Sequence, residues 1–236
     1  MTPWLRGAAA VKRLTELYAR CVIPHLTALA MRNAGLRVER ARFVPYASGV
    51  VLEVGIGSGL NIPFYGPAVR QLYALDPSAE LLRMARLRAG DAQFPVEFLH
   101  HSAEAIPLRD GAVDCVLTTW TLCTIADPVR ALIEVRRVLR PTGRLIFVEH
   151  GRSPNPRVAR WQDRLTPLWR RVTGGCHLNR PIDRLLALGG FEVVEMQTGY
   201  IAGPRVGAFL YRGLARPTSS TPDPAPLERV GAPHLT

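Results

Sequence analysis

The stretch Val50-Val51-Leu52-Glu53-Val54-Gly55-Ile56-Gly57-Ser58-Gly59 constrains this chain more than any other part of it. An apolar run of strand length that enters three alternate glycines is a buried strand followed by a tight turn into a helix. Glycine takes left-handed backbone conformations and lets a ligand approach the main chain closely. A turn of this kind also aims the free N–H groups of the next helix at that ligand.

From this loop onward short apolar runs alternate with helical patterns, which predicts an α/β domain with a mainly parallel sheet. Further strands are expected at residues 71–76, 96–99, 113–118 (after the Asp110-Gly111 turn), 145–149, 191–196 and 206–214. Helices are expected at 79–89, at 127–139 with Asp127 as N-cap and Pro128 at the first position, at 158–172 and near 182–188. In the 158–172 helix Trp161, Leu165 and Trp169 fall four apart, which reads as a core face before a substrate cage, and Pro167 should bend it. The chain thus divides into a helical extension at 1–45, one doubly wound domain at 46–216, and a Pro-, Ser- and Thr-rich stretch at 217–236 expected to be disordered.

Two nucleotide cofactors use a glycine turn like this one. The dinucleotide pattern GxGxxG needs a third glycine where this chain has Leu60. Glu53 precedes the loop; a carboxylate there repels pyrophosphate but suits the ammonium of an amino-acid moiety. Both features favour S-adenosylmethionine over NAD. Asp76 closes the second strand about 20 residues past the glycines, where a carboxylate reaches ribose hydroxyls.

With these residues in view, the chain resembles the class I S-adenosylmethionine-dependent methyltransferases of the small, single-domain type. Residues 51–59 resemble the family's first motif. Ser102-Ala103-Glu104-Ala105-Ile106-Pro107 with Asp110-Gly111-Ala112-Val113-Asp114 resembles its adenine segment and fourth strand, and Arg137-Val138-Leu139-Arg140-Pro141-Thr142-Gly143 the turn before its fifth. The resemblance implies a seven-stranded, mostly parallel, Rossmann-like sheet. It also implies cofactor contacts from Glu53, Gly55, Gly57, Gly59, Asp76, Pro77, Ser102, Ala103, Glu104 and Thr119; many relatives carry an aspartate where Ser102 stands. A narrower likeness, to thiol S-methyltransferases, rests on Leu122-Cys123-Thr124, Val148-Glu149-His150, Trp161-Gln162, Pro167-Leu168-Trp169 and Gly175-Cys176-His177-Leu178-Asn179-Arg180. That family methylates small alkyl thiols and sits on membranes through an N-terminal anchor. An anchor of that kind is not expected here: Lys12, Arg13, Glu16 and Arg20 interrupt the apolar residues, and a span needs about 20 of them.

The reaction implied is in-line displacement at the methyl group by a substrate nucleophile. Segments after strands four and five meet the substrate in such a sheet, which nominates Thr119, with Trp120 and Cys123 nearby, and His150 beside Glu149. His150 reads as a general base or a strand-end histidine, and His177 as a pocket residue of a polar loop. The catalytic candidates are therefore His150, His177 and Thr119. Cys176 reads as a buried bystander before a reactive thiol, and neither His100 nor His101 is assigned a role. No His, Cys or carboxylate spacing points to a metal.

The four cysteines, Cys21, Cys115, Cys123 and Cys176, are scattered as in a reducing cytosol. The net charge of +11 is almost all arginine, since Lys12 is the only lysine. It reads as a solvated surface before a polyanion site. The acceptor is expected to be a small molecule, a thiol among the candidates. The alternatives are a phospholipid N-methyltransferase, an RNA methyltransferase, or a S-adenosylmethionine-binding module without catalysis. Thr118-Thr119-Trp120-Thr121 stands where base-amine methyltransferases place Asn/Asp-Pro-Pro-aromatic, so nucleic acid is not the expected partner. Residues 4–20 form an amphipathic pattern ending near Pro24. This predicts a helix over the mouth of the site, or one resting on the inner face of a membrane, in an otherwise cytoplasmic protein. Nothing in the sequence fixes an oligomeric state.

Overall fold

The computed structural model describes residues 17–218. Most of the amphipathic stretch 4–20 and nearly all of the stretch at 217–236 lie outside the described residues.

Seven strands form one sheet: β1 Gly49–Val54, β2 Val69–Leu75, β3 Val96–Leu99, β4 Val113–Thr119, β5 Leu139–His150, β6 Phe191–Tyr200 and β7 Phe209–Pro217. Their order is β3-β2-β1-β4-β5-β7-β6. Strands β1 to β5 pair in parallel, and β7 lies antiparallel between β5 and β6. The chain walks outward from β1 to β3, then returns to β4 on the other side of β1. Its carboxyl ends part between β1 and β4, and an open α/β sheet leaves its ligand crevice there.

Among the described residues six α-helices accompany the sheet: α1 Ile23–Ala30, α2 Ala34–Phe43, α3 Ala79–Arg88, α4 Pro128–Val138, α5 Pro156–Val172 and α6 Ile182–Leu188. Successive residues of a strand point to opposite faces. Leu52 and Val54 accordingly pack with Leu132 and Val135 of α4 and Leu186 of α6. Val51 packs instead with Phe43 of α2 and with Leu82 and Ala85 of α3. The helix starts follow their sequence signals: Asp127 accepts a hydrogen bond from the Arg130 N–H (3.0 Å), and Ser78 one from Leu81 (3.3 Å).

Several expectations shift in the structure. β5 begins at Leu139, directly after α4, because a register slip between its contacts to Val113 and Cys115 absorbs Pro141-Thr142-Gly143. β6 runs on to Tyr200 and β7 starts only at Phe209, since the two pair as far as Tyr200 opposite Phe209. Pro24 sits in the first turn of α1, preceded by a π-helical turn at Tyr18–Val22. A wide turn there suits a residue with no N–H to give.

The largest difference is α5. Trp161 and Trp169 were expected to join the core, yet they are 55% and 42% exposed, and Leu168 is 63% exposed. The face that α5 turns inward is Ala159, Gln162 and Thr166. Buried Gln162 accepts from Ser153 N–H (2.9 Å) and donates to the Gly151 (3.0 Å) and Val206 (2.9 Å) carbonyls. Polar pinning at one residue thus holds this helix and leaves its apolar stripe outside.

Candidate active site

A cavity of about 530 Å³ opens at the carboxyl ends of β1, β2 and β4. The glycine loop forms its floor. Gly55, Gly57 and Gly59 have φ of 75°, 55° and 80°, in the left-handed region. Each glycine has a separate reason. A Cβ on Gly55 would strike the Thr121 side chain, and one on Gly59 would come within 3.0 Å of the Ala85 Cα on α3. A Cβ on Gly57 would meet nothing nearer than the Gly55 carbonyl at 4.0 Å, so this residue presents bare backbone to the cavity.

Asp76 ties the loop to the end of β2. Its carboxylate accepts from the Gly57 N–H (2.9 Å) and the Ser78 N–H (2.8 Å). Burial pushes its pKa up, against those two backbone donors. Asp76, Pro77, Ser102, Ala103 and Glu104 all stand on the cavity wall. The Ser102 hydroxyl accepts from Glu104 N–H (3.2 Å), and the Glu104 carboxylate accepts from Asp127 N–H (2.9 Å).

At the other end Glu53 takes a different place from the one expected. It lies behind the wall, buried, accepting from Asn61 Nδ2 (2.7 Å) and the Tyr65 hydroxyl (2.6 Å). Burial lifts its pKa to about 8 against those hydrogen bonds. Asn61 is the residue on the wall. Its amide also donates to Thr119 Oγ1 (2.9 Å), and its buried Oδ1 has no partner. An orphaned acceptor in a buried site is costly unless a ligand donor meets it.

Arg40 of α2 reaches the same end. Its Nη1 donates to the Met31 carbonyl (3.0 Å), and its guanidinium lies 4.8 Å from the Trp120 ring. Burial lowers its pKa to about 10. Trp120 has a φ of 51°, the positive-φ non-glycine among the described residues, where β4 turns out of the sheet. Glu149 holds that turn, accepting from the N–H groups of Thr121 (2.9 Å) and Leu122 (3.1 Å). Pro24, Thr27, Ala28 and Met31 bring α1 across the cavity, while most of the stretch 4–20, expected to cover it, lies outside the described residues.

Of the expected catalytic residues, Thr119 is on the wall; His150 and His177 are not. His150 Nε2 lies 3.1 Å from Cys176 Sγ. His177 Nδ1 donates to the Cys123 carbonyl (3.1 Å). Trp120, read from the sequence as lying beside Thr119, is on the wall, and sequence reading missed Arg40 and Asn61. Arg40 has no motif around it, and Asn61 differs from any loop asparagine only through its contact with Glu53.

Comparison with known proteins agrees with this geometry. Residues 52–147 match a family described as a methyltransferase domain. A phosphatidylethanolamine N-methyltransferase of Cereibacter sphaeroides is 30% identical over 161 residues, covering 67% of this chain and 78% of that protein. The chain belongs to the family of class I S-adenosylmethionine-dependent methyltransferases. Human thiol S-methyltransferase TMT1B is 35% identical to the methyltransferase over 157 residues, which span 64% of each chain. A solved Thermotoga maritima structure, described as a S-adenosylmethionine-dependent methyltransferase and possible histamine N-methyltransferase, matches its fold. The TM-score is 0.60 at 23% identity, over 86% of this chain and 99% of that one.

The residues present fit the cofactor. Arg40 would face its carboxylate, Asn61 Oδ1 its ammonium, Asp76 its ribose, and residues 102–104 its adenine. Glu53 would hold Asn61 in place from one layer behind.

Proposed function

We propose that this methyltransferase transfers the methyl group to the sulfur of a small thiol. The observation that carries this reading is the acid–base content of the cavity wall. Among the described wall residues there is no His, Lys, Tyr or Cys; both oxygens of Asp76 accept backbone N–H groups, and Glu104 accepts one at Oε1. An amine or hydroxyl acceptor needs a base to take its proton. A thiol, with an ordinary pKa near ~8.5, supplies its own thiolate. The likeness to thiol S-methyltransferases at 31–35% identity supports the same acceptor.

Bound S-adenosylmethionine supplies an electrophilic methyl group on a sulfonium. The protein's part is to align it and keep water out, which is worth about 7–11 kcal/mol of barrier. Thr119 is a positioning residue here: through Asn61 it fixes the methionine end. In a screen of S-adenosylhomocysteine release, a small alkyl thiol should turn over. Its rate should rise about tenfold per pH unit until the acceptor's own pKa. Turnover with phenols, amines, phosphatidylethanolamine vesicles or total RNA but not with thiols would replace this acceptor. Silence toward all of them would favour a module that only binds the cofactor.

A second reading concerns α5. Trp161, Leu165, Leu168, Trp169 and Val172 form one exposed stripe, with Arg160, Arg164 and Arg171 exposed around it. No helix of the described residues is long and apolar enough to cross a membrane. An apolar stripe with basic flanks fits the plane of an anionic lipid surface, such as a cytoplasmic leaflet. The full chain should co-sediment with vesicles containing phosphatidylserine and release as salt rises. The pair Trp161→Glu and Trp169→Glu should weaken that binding at least about tenfold. Equal sedimentation of both proteins would place the contact elsewhere.

A further inference from the structure

The turn after β4, the end of β5 and the loop after α5 bring Cys123, His150 and Cys176 together. Their ligand atoms all lie within 4.8 Å of one another, and His150 Nε2 is 3.1 Å from Cys176 Sγ. In the sequence these residues are 27 and 26 positions apart, so no spacing motif marks them. Cys123 and His150 are buried and Cys176 is half-buried.

We propose that Cys123, His150 and Cys176 bind one Zn²⁺ ion through two thiolates and one imidazole. Two thiolates and a neutral imidazole are a three-ligand zinc set that leaves one coordination position for water or another donor. Around zinc, ligands about 2.3 Å (sulfur) and 2.0 Å (nitrogen) from the metal stand roughly 3.5–3.8 Å apart. The observed spacing needs shifts of no more than about 1 Å to reach that. Binding displaces the two thiol protons to solvent, and the dication with two thiolates adds no net charge to the buried site.

The three ligand atoms converge on one another before any ion is bound, with His150 Nε2 facing Cys176 Sγ and the two thiols facing each other. Outside the cluster the Cys123 thiol has the Trp120 carbonyl at 3.5 Å and the Thr124 hydroxyl at 3.4 Å, long contacts of a weak donor that thiolate ligation would replace.

The consequence for the site is mechanical. Thr121 and Thr124 flank Cys123 on the cavity wall, and Thr173 and Gly174 precede Cys176 on it. One ion would therefore clamp two separate pieces of wall to the end of β5. This inference stands apart from the identity of the methyl acceptor, because its readouts are binding and stability.

The test is titration of the reduced, metal-free full chain with Zn²⁺ alone, followed by Co²⁺ for a thiolate charge-transfer band. The expected result is one equivalent bound, a thiolate band with cobalt, and a thermal midpoint that rises with zinc. Cys176→Ser and His150→Asn should each weaken zinc binding at least tenfold, while Cys21→Ser, outside the cluster, should not. S-adenosylmethionine binding by Cys176→Ser would show that this variant is folded. Three results would each overturn the proposal: no stoichiometric zinc on the wild type, undiminished binding by folded Cys176→Ser, or a Cys123–Cys176 disulfide in the protein as purified.

Discussion

Replacing Asp76 with Ala should weaken S-adenosylmethionine binding by at least about a hundredfold while the domain stays folded. The carboxylate does two things at once. It holds the Gly57 and Ser78 N–H groups at 2.9 and 2.8 Å, and it stands on the cavity wall where a ribose would meet it. Hydrogen bonds to a charged group contribute about 1.5–3 kcal/mol each, and the donors left behind add their own desolvation cost. A loss of about 2.7 kcal/mol in binding is a hundredfold. Calorimetric titration with S-adenosylmethionine, alongside far-ultraviolet circular dichroism, measures both quantities. Wild-type affinity in a folded variant would remove Asp76 from the cofactor site.

Gly57→Leu should abolish cofactor binding, and a comparison with Gly59→Val shows why the two glycines differ. At Gly57 the added Cβ meets only open space, so the cost to folding is the left-handed backbone, about 1–2 kcal/mol. The rest of the leucine side chain then stands where bare backbone faces the cavity. At Gly59 the Cβ meets the Ala85 Cα at 3.0 Å, so helix α3 must move away from the loop. Gly59→Val should therefore lower the thermal midpoint more than Gly57→Leu does, while Gly57→Leu empties the site in a protein that still unfolds cooperatively. Cofactor binding by Gly57→Leu at wild-type strength would mean that the ligand does not approach this backbone.

The two outcomes belong to features that adjacent residues encode. The apolar run of β1, the three glycines, Asp76 at the end of β2 and the Asp127-Pro128 start of α4 are each local. Backbone chemistry and side-chain periodicity specify them without reference to the rest of the chain. The strand count and parallel character followed from the same signals, because alternating strands and helices leave few ways to cover a sheet. Edges were less legible: β5 starts six residues before its apolar run, since Leu139 already pairs with Val113 and a register slip takes up Pro141-Thr142-Gly143.

The amino-acid sequence alone therefore determined the fold class, the cofactor class and the left-handed glycine loop after β1. Tertiary structure decided the rest. Glu53 was read as a direct ligand to the ammonium, but strand burial turns it into the support for Asn61. Arg40 enters the site from the helical extension only because α2 packs against the face of the sheet that carries Val51. His150, read as a base, is drawn to Cys176 by a chain return that no spacing announces. Trp161 and Trp169 have the period of a core stripe, yet the buried hydrogen bonds of Gln162 turn them outward. The physical reason is common to all four. Periodicity says that a face exists, and only the long-range contacts of the folded chain say what that face meets.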